Sequence, residues 1–186
     1  MVESILSADA AILLWIQDNL RADWLTPIMT TITRLGGLGL IWILISLMLL
    51  CIPKTRWAGV AGLAGLTCSL LLNNMILKNL AARTRPYEVI EGLQLIGKRA
   101  TDFSFPSGHT GSSFAAAVAI CRTQKGSRGY RLLLVFAALM GFTRLYIGIH
   151  YPTDVICGAL TGTVCGLFAA WLVSRCRASI MSGKSI

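Results

Sequence analysis

Three long runs without a single charge limit what this chain can fold into. "LGGLGLIWILISLMLLCIP" (35–53), "WAGVAGLAGLTCSLLLNNMIL" (57–77) and "VICGALTGTVCGLFAAWLVS" (155–174) each approach the ~20 apolar residues that carry a helix across a bilayer core. Two shorter runs, 107–121 and 131–149, each hold a polar residue near one end, His109 and Arg144. Only 13% of the chain is charged, against about 25% in an ordinary soluble domain. These features predict an all-α fold. It is a polytopic transmembrane bundle in a single domain, 1–186, with spans near 35–53, 57–78, 107–121, 131–149 and 154–174.

The net charge of +9 sits in the loops between these runs. The clusters are Lys54 with Arg56; Arg122, Lys125, Arg128 and Arg131; and Arg175, Arg177 and Lys184. Loops rich in Lys and Arg stay in the cytoplasm. That sets the direction of all five spans, leaves 79–106 as a long external connection and puts the C-terminus in the cytoplasm. The basic residues flank spans and form no stripe with aromatics, so no nucleic-acid partner is expected. Cys51, Cys68, Cys157 and Cys165 fall inside the apolar runs, Cys121 and Cys176 at their ends, and no CxxC pair occurs. They read as small hydrophobes and predict neither disulfide nor metal. Residues 1–20 hold three acids and no basic leading segment, so no cleavable signal is expected.

"ADAAILLWIQDNL" has helical spacing but is bounded by Asp9 and Asp18. It predicts a short helix lying at the interface or dipping part-way in. Gly158, Gly162 and Gly166 share one face of the last span and predict close helix contact within the bundle.

The predicted topology gathers polar residues at one membrane face. Lys78, Arg83 and Arg85 follow the second span. Ser104, Ser107, Gly108, His109 and Thr110 open the third. Arg144 and His150 close the fourth, and Asp154 opens the fifth. Singly, each has a plain reading: Lys78 snorkelling to the interface, Ser107 capping a helix. Together, three cations (Lys78, Arg85, Arg144), the N–H groups of a helix start at Ser107–Gly108 and two histidines suit a phosphate ester handled without a metal or other cofactor. His150 and Asp154 are four apart, with Pro152 placed to start a helix. Asp154 can then take the proton of one ring nitrogen and leave the other as a nucleophile. His109 has no acid nearby in sequence and is the better general acid.

Three stretches together resemble the type 2 phosphatidic acid phosphatase family. "KNLAARTRP" (78–86) is similar to its first motif, a lysine and then Arg-Pro after six residues. "PSGH" (106–109) is similar to its second, and "TRLYIGIHYPTD" (143–154) to its third. The third motif usually begins with serine, where this chain has Thr143, and many members have six spans. The resemblance implies a helical membrane bundle with its site near the outer face, and hydrolysis through a phosphohistidine. His150 would be the nucleophile, oriented by Asp154. His109 would protonate the leaving oxygen and then activate water. Lys78, Arg85, Ser107, Gly108 and Arg144 would bind the phosphate oxygens.

A lipid phosphate in the bilayer is the expected partner, in a bacterial cytoplasmic membrane. Among the family's substrates undecaprenyl diphosphate is the favoured expectation, with phosphatidylglycerophosphate, phosphatidic acid or lipid A as alternatives. A non-catalytic lipid transporter is the reading from another class, and the presence of both histidines and Asp154 speaks against it.

Overall fold

The computed structural model describes residues 2–124 and 128–183. Lys125 and Lys184, two of the expected cytoplasmic cations, lie outside the described residues. Among the described residues every regular element is a helix. The helices are α1 (Val2–Leu20), α2 (Thr26–Leu35), α3 (Leu40–Cys51), α4 (Arg56–Ser69), α5 (Lys78–Ala81), α6 (Pro86–Val89), α7 (Gly108–Thr123), α8 (Arg131–Tyr146) and α9 (Pro152–Ser182). A π-helical stretch, Leu70–Leu77, joins α4 to α5.

Prolines mark the starts of α2, α6 and α9, where the missing N–H costs nothing. The expected unbroken span 35–53 is a correction. Leu38 and Gly39 take positive φ, 53° and 71°, so α3 begins only at Leu40 and turns 52° from α2. The glycines of "LGGLG" allow that break.

The bundle is built around α7. Small residues, not large ones, set how close its neighbours come. A Cβ on Gly158 would lie 2.7 Å from the Ser107 carbonyl oxygen, and one on Gly166 2.6 Å from that of Ala115; one on Gly162 would meet the Gly111 backbone. The glycine stripe of α9 is therefore spent inside the chain, on the face of α7. From the other side Gly65 of α4 abuts the same Ala115 carbonyl. Ala115, Ala116, Ala117 and Ala119 are all buried. Trp42 of α3 is fully buried and donates through Nε1 to Ser113 at 2.8 Å. The outer faces are apolar: Leu160, Val164, Phe168 and Trp171 of α9 are exposed, a surface suited to lipid and not to water.

Arg56–Val89 and Pro152–Ser182 are each long and apolar enough to cross a membrane, and the bent pair α2–α3 makes a third candidate span. Helices α7 and α8 have 16 residues each. At ~1.5 Å per residue they fall short of a ~30 Å core. Their polar ends are cut away into the site described next.

One expectation for the flanking segments changes. Asp9 does not bound a short helix: α1 runs from Val2 to Leu20, and Asp9 lies within it, buried. In the connection 79–106 the end of α5 and the one-turn α6 are helical; residues 90–105 run irregularly. Ile96 N–H is bonded to the Ile147 carbonyl, and Arg21 of the α1–α2 turn ties Gln94 to Tyr146 through their carbonyls. Leu93 packs with Leu13 and Tyr151.

Candidate active site

Five helix ends meet at one cavity of about 690 Å³. Lys78 enters from the start of α5 and Arg85 from the residue before α6. Gly108 and His109 come from the first turn of α7, Arg144 from the last turn of α8 and His150 from the α8–α9 turn. Ile43, Leu63, Leu66 and Leu70 line the rest together with the polar Thr67, Ser69, Asn74 and Ser112. One space thus carries cations and imidazoles at one end and aliphatic side chains along its flank. Of the residues expected from sequence, Lys78, Arg85, Gly108, His109, Arg144 and His150 line it. Ser107 and Asp154 stand behind them, fully buried.

His150 is held from both sides. Its Nδ1 lies 3.4 Å from Asp154 Oδ2, and its Nε2 lies 3.3 Å from Arg85 Nη1. A guanidinium only donates, so Nε2 presents its lone pair and Nδ1 carries the proton, toward Asp154. Burial, against the opposing hydrogen bond from Asp154, pushes this imidazole down to about 4. It is therefore neutral at ordinary pH, with a free lone pair on the nitrogen nearest the cations. Asp154 is the third residue of α9; its Oδ2 also caps the helix by accepting from Tyr151 N–H at 3.0 Å.

Behind Asp154 lies a buried network. Ser104 Oγ donates to Oδ2 at 2.5 Å, and Arg83 Nη1 donates to Oδ1 at 2.7 Å. The same Nη1 reaches Thr153 Oγ1 at 2.7 Å, and Nη2 reaches Asp9 Oδ2 at 2.9 Å. Asp9 in turn accepts from Thr153 N–H at 3.0 Å. The N-terminal helix is thereby tied to the start of the last one.

The three cavity cations are each under a tenth exposed. Arg144 donates to Thr33 of α2 at 2.6 Å, while its Nε is buried without a partner among the described residues. Lys78 and Arg85 both contact Asp102, at 2.5 and 2.6 Å. Burial raises the Asp102 carboxyl, but Lys78 and then Arg85 outweigh it and hold it below the usual range. Ser107 Oγ caps α7, accepting from Thr110 N–H at 3.5 Å and from its hydroxyl at 2.9 Å; the plain reading of that serine holds. Thr143 turns its hydroxyl back to the Met140 carbonyl at 2.7 Å and does not line the cavity.

Sequence reasoning missed Asp9, Thr33 and Asp102. It noted Arg83 and Ser104 but gave them no role. Only Arg83 carried a usable signal, as a second arginine beside the Arg85-Pro86 pair; the others become visible only in three dimensions.

A family model described as the PAP2 superfamily matches residues 57–178. The chain belongs to the PAP2 superfamily. The three stretches on which the resemblance rests all lie inside that match. An undecaprenyl-diphosphatase of Sulfolobus acidocaldarius is 30% identical over 123 residues, 66% of this chain and 59% of its own length. A bacitracin transport permease protein BcrC of Bacillus licheniformis, 33% identical, and a lipid A 4'-phosphatase of Bacteroides thetaiotaomicron, 36% identical, are matched over only 48% and 44% of their lengths, so the chain spans about half of these proteins. The crystal structure of Aquifex aeolicus LpxE matches with a TM-score of 0.72 at 26% identity, over 86% of this chain and 92% of that one. A PAP2-type phosphatidylglycerolphosphate phosphatase from Bacillus subtilis gives 0.69 at 29%, over 95% and 88%.

Proposed function

We propose that this protein is an integral-membrane phosphatase that removes phosphate from a lipid phosphate or diphosphate without a metal ion, through a phosphohistidine on His150. The observation that carries this reading is the single cavity in which His150, His109, Lys78, Arg85 and Arg144 share one end while Ile43, Leu63, Leu66 and Leu70 line its flank. A lipid phosphate is amphiphilic in the same sense: a charged head for the cations, chains for the leucines.

The chemistry follows from the groups present. The cations and the α7 N-terminus at Gly108 draw in the phosphoryl oxygens. His150 Nε2 attacks phosphorus, forming the P–N bond while the P–O bond to the leaving lipid breaks. His109 gives its proton to the leaving oxygen. It then takes a proton from water, whose oxygen attacks phosphorus, breaks the P–N bond and frees phosphate. Asp154 keeps the His150 proton on Nδ1 throughout. Ser107 caps α7 from behind and so holds the first turn of that helix toward the phosphate.

Five spans with the site at the outer membrane face, and a cytoplasmic C-terminus in a plasma membrane, complete the reading. Its support is the placing of both histidines and all three cations at helix ends on one side of the bundle. Undecaprenyl diphosphate is the favoured substrate, supported by the naming of the Sulfolobus relative. The test is phosphate release from undecaprenyl diphosphate, phosphatidylglycerophosphate, phosphatidic acid and lipid A, each with chelator present. Release in chelator, fastest for the polyprenyl diphosphate, is expected. Complete loss of release in chelator contradicts the metal-free chemistry.

A further inference from the structure

Lys78 and Arg85 already share an anion. Asp102 Oδ2 accepts from Lys78 Nζ at 2.5 Å, and Oδ1 accepts from Arg85 Nη2 at 2.6 Å. One carboxylate thus gives an oxygen to each cation, as two terminal oxygens of a phosphoryl group would. Arg85 does not need that side chain to hold its place. Its Nε, Nη1 and Nη2 also donate to the backbone carbonyls of Asp102, Ile149 and Phe103, at 2.9, 2.9 and 3.1 Å. Lys78 has no other hydrogen-bond partner among the described residues, and a buried ammonium without an anion is costly.

Asp102 itself is half exposed. It stands on the irregular chain before α7 and borders two spaces. One is the main cavity; the other is a cleft of about 230 Å³, also lined by Arg83, Glu88 and Thr101. The carboxylate therefore has open space beside it on the side away from the main cavity.

Resting on the phosphate-site reading above, we propose that Asp102 sets substrate specificity by charge. Its carboxylate is a resident single charge on Lys78 and Arg85, and only a phosphate group carrying more charge takes those cations from it. A phosphate monoester carries about −1.5 to −2 at pH 7. A phosphodiester, the linkage of bulk phospholipids, carries one negative charge. Coulomb attraction scales with that charge. A monoester therefore gains over the carboxylate, whereas a diester exchanges one charge for another and loses its hydration besides. A site open to the bilayer is in this way kept clear of the diester lipids around it.

The test is binding, read without turnover. The full chain in detergent micelles is titrated with inorganic phosphate, and affinity is taken from the rise in melting temperature. The titration is repeated with dioleoyl phosphatidylglycerol, a diester, at rising mole fraction. Asp102→Asn and Asp102→Ala are each expected to bind phosphate at least fivefold more tightly than wild type. Phosphatidylglycerol is expected to weaken phosphate binding in both variants and not in wild type. Lys78→Met separates the two claims. If it weakens phosphate binding while neither Asp102 variant tightens it, this inference falls and the phosphate site stands. If the Asp102 variants tighten binding but stay indifferent to phosphatidylglycerol, the charge-selection role falls. If Lys78→Met leaves phosphate binding unchanged, the phosphate site and this inference fall together.

Discussion

Arg83 donates a 2.7 Å hydrogen bond to Asp154, on the carboxylate oxygen that His150 does not use. The guanidinium stacks 3.7 Å over the Tyr151 ring and holds Asp9 with its other nitrogen. It thus fixes the carboxylate that fixes His150. Removing it leaves Asp9 and Asp154 buried without their cation, a loss of ~1–3 kcal/mol per unsatisfied group. Arg83→Ala is expected to lower kcat about 10- to 100-fold with KM changed far less, because Arg83 stands behind His150 and does not line the main cavity. Arg83→Lys restores part of it, since an ammonium cannot serve Asp9, Thr153 and Asp154 in one plane. Steady-state kinetics of the two variants check this; an unchanged kcat in Arg83→Ala contradicts it.

Helix contact around α7 is the second point of leverage. A Cβ at Gly162 would meet the backbone of Gly111, and neither helix can give way by rotating a side chain. Gly162→Ala is expected to cost ~1–3 kcal/mol through overpacking and to lower the melting temperature in detergent. It should also slow turnover, because the α7–α9 contact sets His109 against His150. Gly37→Ala is the control: nothing lies within 4 Å of its added methyl, and its melting temperature should match wild type. Equal melting temperatures for the two variants contradict the packing account.

An acid limit to phosphoenzyme formation is expected from His150. Its pKa is depressed to about 4, first by burial, with Arg144 and Arg85 adding to it against the Asp154 hydrogen bond. A depressed pKa favours the neutral ring, so the Nε2 lone pair is available above about pH 4 and is lost as pH falls through that value. Rapid-quench measurement of phosphoenzyme formation against pH should show its acid limb near 4. A limb near the ordinary histidine value of ~6.5 contradicts the burial account.

Much of the site was legible because the motifs carry it locally. Lys78, Arg85, His109, Arg144 and His150 reach one cavity, and Asp154 comes within 3.4 Å of His150 because Pro152 starts a helix two residues after it. The glycine stripe at 158, 162 and 166 was readable for the same reason, since helical periodicity is a local property. What stayed hidden depended on distant partners. Asp9 reads as the edge of an apolar segment when only hydropathy is counted. Its charge is tolerated inside α1 because Arg83, 74 residues away, meets it. Asp102 sits in a stretch with no periodicity at all, and its meaning comes only from Lys78 and Arg85. The five runs were plain as composition, yet α7 and α8 are cut short because their polar ends belong to the site, and the 52° break before α3 turns on backbone angles at Leu38 and Gly39.

In the proposed chemistry His150 carries the phosphoryl group. The most direct measurement of that step uses lipid substrate labelled in the phosphate, rapid denaturing quench and peptide mapping of the label. The expected result is an acid-labile, base-stable label on the peptide containing His150, absent in His150→Ala and retained in variants of Arg83. A label on another residue, or full turnover by His150→Ala, would contradict the account.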